Sequence, residues 1–409
     1  MGFDFSYMGT KRQLAPIVAK TISTAKPGPV MDVFSGMCAV GAEVGDDRQV
    51  WNNDIQEFCA TVAKCLFQST GSPPTREQAD RVLFTQFEKN RDSLMRRFRG
   101  EIIDECHALN SKSPQLIHLY RGTRSPSRML GRHRLERLTR SHRSHQFPFC
   151  LFCLTYADTY FGLTQCVEID SLAYAILAAT SDGLISEDEK YWMFIVLGDV
   201  LKNVATTTGH FAQFLEPNQE NARRYIQQRN RSVWNEFLLS LAHVSPLGSQ
   251  EWRGKNRVYN RDTLALLDEL ASAADVPSVV YADPPYTDDQ YSRYYHVLET
   301  LIRYDYPETS SKGQYRPDRF RTPFSIKSEV TSAFDKLVKS TANIGAELVL
   351  SYPTNGLLYK CNSNPLDYLA KHYRCVEVCD AVSHTHSTFG ASKGVAQALV
   401  TEMIYYARN

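Results

Sequence analysis

The chain has 409 residues, 43% of them apolar and 22% charged, with a formal net charge of +1. That length admits one large domain or two ordinary ones around a sizeable core, and a near-neutral total excludes any argument about partners from global charge. No run approaches about 18 consecutive apolar residues, so no membrane-spanning helix is expected.

The N-terminus lacks the basic, apolar, small-residue order of a secretory signal. Its "MGFDFS" matches a myristoylation pattern in form, at a length that chance often supplies. Ten cysteines are scattered without regular spacing. Cys150 and Cys153 form one C-x-x-C, but no second pair completes a zinc set, so buried reduced thiols and no metal are expected. These features suggest a reducing cytoplasm, and a monomer or weak dimer with no membrane partner.

In chain order, residues 1–70 read as strands alternating with helices. "PVMDVFSG" is a strand ending in a glycine turn, and "QVWNND" is a second strand ending in an acid. "DIQEFCATVAKCLFQ" follows with apolar residues at helical spacing. In "DVFSGMCAVGAEVG", Asp32 and Phe34 sit at the strand end, Gly36 in the turn and Gly41 at the helix start. That is the shape of a nucleotide-cofactor loop, although the phosphate-binding G-x-G-x-x-G is absent. Asp54, twenty-two residues after Asp32, stands where an acid accepts both ribose hydroxyls of an adenosine cofactor. It equally suits a helix N-cap.

Residues 71–254 carry mostly helical periodicity. "SLAYAILAAT", "EKYWMFIVLGDVLKNVA" and "NARRYIQQRNRSVWNEFLLSLAHV" read as helices, the second opened by a Ser186/Glu189 capping box. "SDGLISEDE" lacks the spacing of a calcium loop and reads as a turn. Residues 121–146 hold eight arginines against one glutamate. This segment is either a solvated loop or a phosphate-contacting surface through Arg124, Arg128, Arg132, Arg134 and Arg137. The block has the form of a helical insert in an α/β domain whose second part spans 255–409.

That second part contains "VVYADPPYTDDQYSRYYHVLET". Val279 to Ala282 read as a buried strand, which the prolines must end because they cannot donate to a sheet ladder. A stiff loop then presents the Asp283 carboxylate, the Pro284 carbonyl, Pro285 and the Tyr286 ring together. Such a loop suits a flat, amine-bearing ring. Tyr291, Arg293 and Tyr294 follow, and they either stack on bases and contact phosphate or pack a helix. "ELVLSYPTNG" and "ALVTEMIYYAR" are later strands. His384 and His386 show no third metal ligand.

The motifs "FSYMGTKRQL", "DVFSGMCAVG", "NND", "NRDTLALL" and "YADPPY" occur in this order, and together they resemble the Dam-like DNA adenine methyltransferases. The resemblance covers about 225 residues at the two ends. It implies a Rossmann-like, S-adenosylmethionine-dependent fold with a mainly parallel sheet, in which the helical insert falls where the family carries its target-recognition domain. Tyr7, Met8, Gly9 and Lys11 match the motif beside the methionine part of the cofactor. Asp32, Phe34 and Gly36 match its loop, Asp54 the ribose acid and Asp262 the acid near the adenine ring; Asp262 also reads as an N-cap. Cys38 departs from a usual glycine, which weakens the expectation of tight cofactor binding. "LSYPTNG" (Tyr352, Pro353, Asn355) resembles a secondary wall of the base pocket, and 384–394 a closing loop.

Asp283 to Tyr286 match the catalytic motif. The adenine amine has a lone pair delocalised into its ring, so it is a poor nucleophile. Asp283 and the Pro284 carbonyl accept its two N–H bonds, favour a more tetrahedral nitrogen and stabilise developing positive charge. Tyr286 stacks on a base flipped out of the duplex. The resemblance implies a site-specific adenine-N6 methyltransferase of double-stranded DNA, in a restriction–modification or host-marking system with a partner restriction enzyme. RNA adenine methylation is the alternative substrate, and a non-catalytic nucleic-acid-binding module that kept the fold is the rival class.

Overall fold

The structure is a computed structural model and describes residues 13–111, 147–387 and 397–409. Seven strands form one sheet in the order β3-β2-β1-β4-β5-β7-β6. Strands β1 (Val30–Asp32), β2 (Val50–Asn53), β3 (Arg257–Tyr259), β4 (Val279–Ala282) and β5 (Glu347–Pro353) are parallel. Strands β6 (Cys375–Ser387) and β7 (Gln397–Arg408) are antiparallel, with β7 between β5 and β6. Cys375 and Cys379 lie on β6.

The parallel strands are short and β1, β2 and β4 are buried at every residue. Burial on both faces explains why "VVYA" is a continuous apolar run rather than an alternating one. Met31, Val280, Leu348 and Leu350 are fully buried and pack with Leu337 from the helix Val330–Asn343. The strand order steps outward from β1 in both directions, which opens a crevice at the carboxyl ends of β1 and β4.

The chain divides into two compact units. One comprises residues up to Thr70, Ser245–Ser292 and Phe320–Asn409, and holds the sheet. The other comprises Gly71–Val244 and Arg293–Arg319. The helical block therefore takes in a second segment, 293–319, that the sequence had assigned to the α/β part. The reason is packing: His296 is fully buried among aromatic rings, at 5.7 Å from that of Tyr160 and 4.9 Å from that of Tyr315.

Within the helical unit, Thr75 and Ser186 open the helices Arg76–Arg97 and Glu187–Val204 with capping boxes. The single helix expected over 221–244 is two, Ala222–Arg229 and Val233–Ser240, because the Ser232 hydroxyl accepts from Asn235 N at 3.2 Å and starts a new helix. Asp170, in the helix Leu163–Ser181, is fully buried. Its carboxylate accepts from Phe152 N (2.8 Å), Cys153 N (2.9 Å) and the Tyr304 hydroxyl (2.5 Å). All ten cysteines are free thiols; six are buried, while Cys106 and Cys379 are exposed and Cys361 and Cys375 half-buried. No helix among the described residues is long and apolar enough to cross a membrane.

Candidate active site

Four acids mark the ends of four adjacent parallel strands. Asp32 is the last residue of β1, Asp54 follows β2, Asp262 lies three residues past β3, and Asp283 follows β4. All four line one cleft of about 1020 Å³, measured with its open mouth. Phe34, Gly36, Pro284, Pro285, Tyr286 and Tyr291 line it as well. Sequence separations of up to 251 residues thus collapse onto one edge of the sheet, as expected where a doubly wound sheet changes direction.

The loop after β1 is fastened by its own backbone. Phe34 N donates to Asp32 Oδ1 at 3.1 Å, Ser35 N to Asn53 O at 2.9 Å, and Gly36 N to Asp54 Oδ2 at 2.9 Å. Gln56 N donates to the other Asp54 oxygen at 2.8 Å. Asp54 therefore ties the two loops together, and each oxygen keeps a second acceptor position. Its local N-cap-like bond and its place in the cleft coexist.

Gly36 has φ of 48° and Cys38 has φ of 61°. The left-handed region is where glycine is favoured. Cys38 is fully buried and its thiol points to the Gly36 carbonyl at 4.0 Å. The loop thus keeps a glycine-like conformation at Cys38, with the side chain turned into the core.

Burial raises both inner acids. Asp32 lies well above the usual carboxylate range, chiefly through desolvation, with the charges of Asp283 and Asp54 adding to it against the Phe34 N–H. Asp54 is pushed up to about 6 by burial, against the N–H groups of Gln56 and Gly36. Converging acids of this kind favour a ligand that brings positive charge. Asp262 is exposed, and its Oδ1 accepts from Ala265 N at 3.0 Å as the N-cap of the helix Thr263–Leu270. It caps and lines the cleft at once.

The D-P-P-Y loop leaves β4 with Pro284 buried and Asp283, Pro285 and Tyr286 half-buried. Leu357 N donates to the Tyr286 carbonyl at 2.7 Å, which fixes the loop's far end. The cleft is also lined by a segment that the sequence reading missed: Phe320, Arg321, Thr322 and Phe324. The Gln290 amide accepts from Thr322 N at 2.9 Å and donates to Thr322 O at 3.3 Å. Phe324 meets Phe34 edge-on, with centroids 5.4 Å apart. The only local signal is Thr322-Pro323-Phe324, a capped single turn.

Other expectations separate. Tyr294 is buried, with its ring 4.9 Å from that of His210, so it packs rather than offering a face for stacking. Arg293 is half-buried, 5.6 Å from the Tyr315 ring centre. Tyr352 is no pocket wall: it is fully buried in the core, its hydroxyl accepting from Leu358 N at 3.0 Å and its ring 5.5 Å from that of Phe334. Tyr7, Met8, Gly9 and Lys11 lie outside the described residues, as do Arg124, Arg128, Arg132, Arg134 and Arg137. The side chains of 384–394 lie outside them too. Among the described residues no group of His, Cys, Asp and Glu is placed to hold a metal.

The sequence model of the D12 class N6 adenine-specific DNA methyltransferases matches residues 7–99 and 253–349. These two segments contain all four strand-end acids. Among curated proteins, the chain is 24% identical over 329 residues to the Type II methyltransferase M.FokI of Planomicrobium okeanokoites, covering 80% of this chain and 41% of that protein. It is 26% identical over 321 residues to the modification methylase LlaI of Lactococcus lactis subsp. lactis, covering 76% and 46%. It is 18% identical over 404 residues to the modification methylase StsI of Streptococcus sanguinis, covering 98% and 51%. The chain thus spans about half the length of these relatives, or less. No solved structure matches it.

Proposed function

We propose that the chain belongs to the D12 class of N6 adenine-specific DNA methyltransferases, whose sequence model matches residues 7–99 and 253–349, and that it moves a methyl group from S-adenosylmethionine to the N6 amine of an adenine at a specific site in duplex DNA. The observation that carries this reading is the convergence of Asp32, Asp54, Asp262 and Asp283 on one cleft, beside Pro284 and Tyr286.

The residues present fit such a donor. When bound, it supplies an electrophilic methyl group on a sulfonium cation. Asp32 and Asp54 are buried acids that a cationic ligand would stabilise in their charged form. Asp54 keeps acceptor capacity for ribose hydroxyls, and Asp262 stands at the exposed end of the same row. Phe34 and Phe324 give the cleft apolar walls.

Asp283 and the Pro284 carbonyl then hold the adenine amine. Two acceptors at one nitrogen fix its orientation and stabilise the positive charge it gains during attack. The prolines hold this geometry before the substrate arrives. Tyr286 offers a ring for the flipped base. The helical unit reads the target sequence, and the arginine-rich segment 121–146 adds phosphate contacts. Two of the relatives are named modification methylases, which supports a restriction–modification role with a partner nuclease.

Asp283→Ala tests the chemistry. Loss of one pre-set acceptor should lower kcat by about 100-fold or more, with the circular dichroism spectrum and donor affinity retained. An activity within about threefold of wild type would remove Asp283 from the mechanism.

A further inference from the structure

Arg321 stands apart in the cleft. Among the described lining residues it is the one cation, in a lining that includes four carboxylates. It is exposed, and among the described residues no carboxylate pairs with it. Arg316 shows the contrast: its guanidinium is buried and held by Asp305 at 2.6 Å and Asp318 at 3.0 Å.

The backbone that carries Arg321 is fixed on its C-terminal side. Thr322 is clamped through both its N–H and its carbonyl by the Gln290 amide. The Thr322 hydroxyl accepts from Phe324 N at 3.4 Å, and buried Phe324 rests on Phe34. A flexible side chain therefore projects from a preset position. Gln290 lies four residues past Tyr286 and next to Tyr291, and Phe34 follows β1. Arg321 thus sits on the β1–β4 side of the cleft, while Asp54 and Asp262 follow β2 and β3.

We infer that Arg321 binds an oxyanion of the ligand, and that this oxyanion is a backbone phosphate of the DNA strand whose base enters beside Asp283 and Tyr286. The inference rests on the functional reading above and deepens it. A nucleotide cannot present its base to the cleft without bringing its phosphates to the rim. There the acids repel them, and one well-placed cation offsets that repulsion. Arginine suits the task, because its charge is permanent and its planar fork matches a phosphate through two hydrogen bonds. The donor's carboxylate shares this chemistry and is the other source of an oxyanion.

The test compares the full-length chain with Arg321→Ala and Arg321→Lys. DNA binding is measured against salt on a duplex that the wild type methylates, and donor binding by calorimetry. We expect Arg321→Ala to reduce the slope of log affinity against log salt by about 0.9, the share of one phosphate contact. The KM for DNA should rise, donor affinity should stay within twofold, and Arg321→Lys should restore most of the slope. Weakened donor binding with an unchanged slope would overturn the assignment to DNA and give the donor's carboxylate instead. No change in either would overturn the site altogether. A wild-type chain that methylates no DNA would refute the functional reading first, and this inference with it.

Discussion

Asp54 carries the most direct pH prediction. Folding raises its pKa to about 6, above an ordinary carboxyl near about 4. The folded chain therefore holds this proton more tightly than the unfolded one. Its contribution to stability is present below pH about 4 and is lost as pH rises toward 6. A cationic ligand has the opposite preference, since it favours the ionised acid. Donor affinity should therefore rise between pH 5 and 7, and Asp54→Asn should remove the step near 6. Calorimetric titrations at several pH values check this, and a flat wild-type profile would contradict it. Cys38 gives a second test. A cysteine at φ of 61° is strained by about 1–2 kcal/mol, whereas glycine is not but loses a buried side chain and gains freedom when unfolded. Cys38→Gly should lie within about 1 kcal/mol of wild type by thermal unfolding, with donor binding retained. A much larger loss would assign the thiol a role of its own. At this scale the acids were legible because each pairs a residue type with a strand end. Arg321 and Gln290 were not, because a lone arginine and a lone glutamine carry no pattern until the fold brings them to the cleft.

Elements follow the same division. Strands β1, β2, β4 and β5 were readable from runs closed by acid, glycine or proline, β7 from its apolar residues, and Glu57–Phe67 from its spacing. The break at Asn230–Ser232 was missed, because the apolar pattern runs on across it and only the Ser232 cap marks the start of the second helix. The segment 293–319 was misplaced for a similar reason: its helix begins where the cleft-lining loop ends, and sequence adjacency hid the change of unit. The Asp170 node shows what holds the helical unit. Three buried donors converge on one carboxylate. Asp170→Ala would leave them without an acceptor, at about 3 kcal/mol or more. Chemical denaturation should show a loss of that size, and one below about 1 kcal/mol would mean the node relaxes onto other partners.

At the scale of the whole molecule, a total charge near zero conceals an uneven distribution: acids on the cleft, arginines in 121–146. That asymmetry suits an enzyme that holds a cationic donor in one place and a polyanion in another. The fold class was legible because strands alternate with helices at both ends of the chain. The division of labour within the helical unit was not, since recognition depends on a few side chains set by tertiary packing. The most direct measurement is transfer from labelled donor to mixed-sequence duplex DNA and, in parallel, to total RNA, followed by nucleoside analysis. The account predicts label on DNA as N6-methyladenine, confined to one recurring sequence and lost in Asp283→Ala. Label on RNA alone, or none on either despite bound donor, would contradict it.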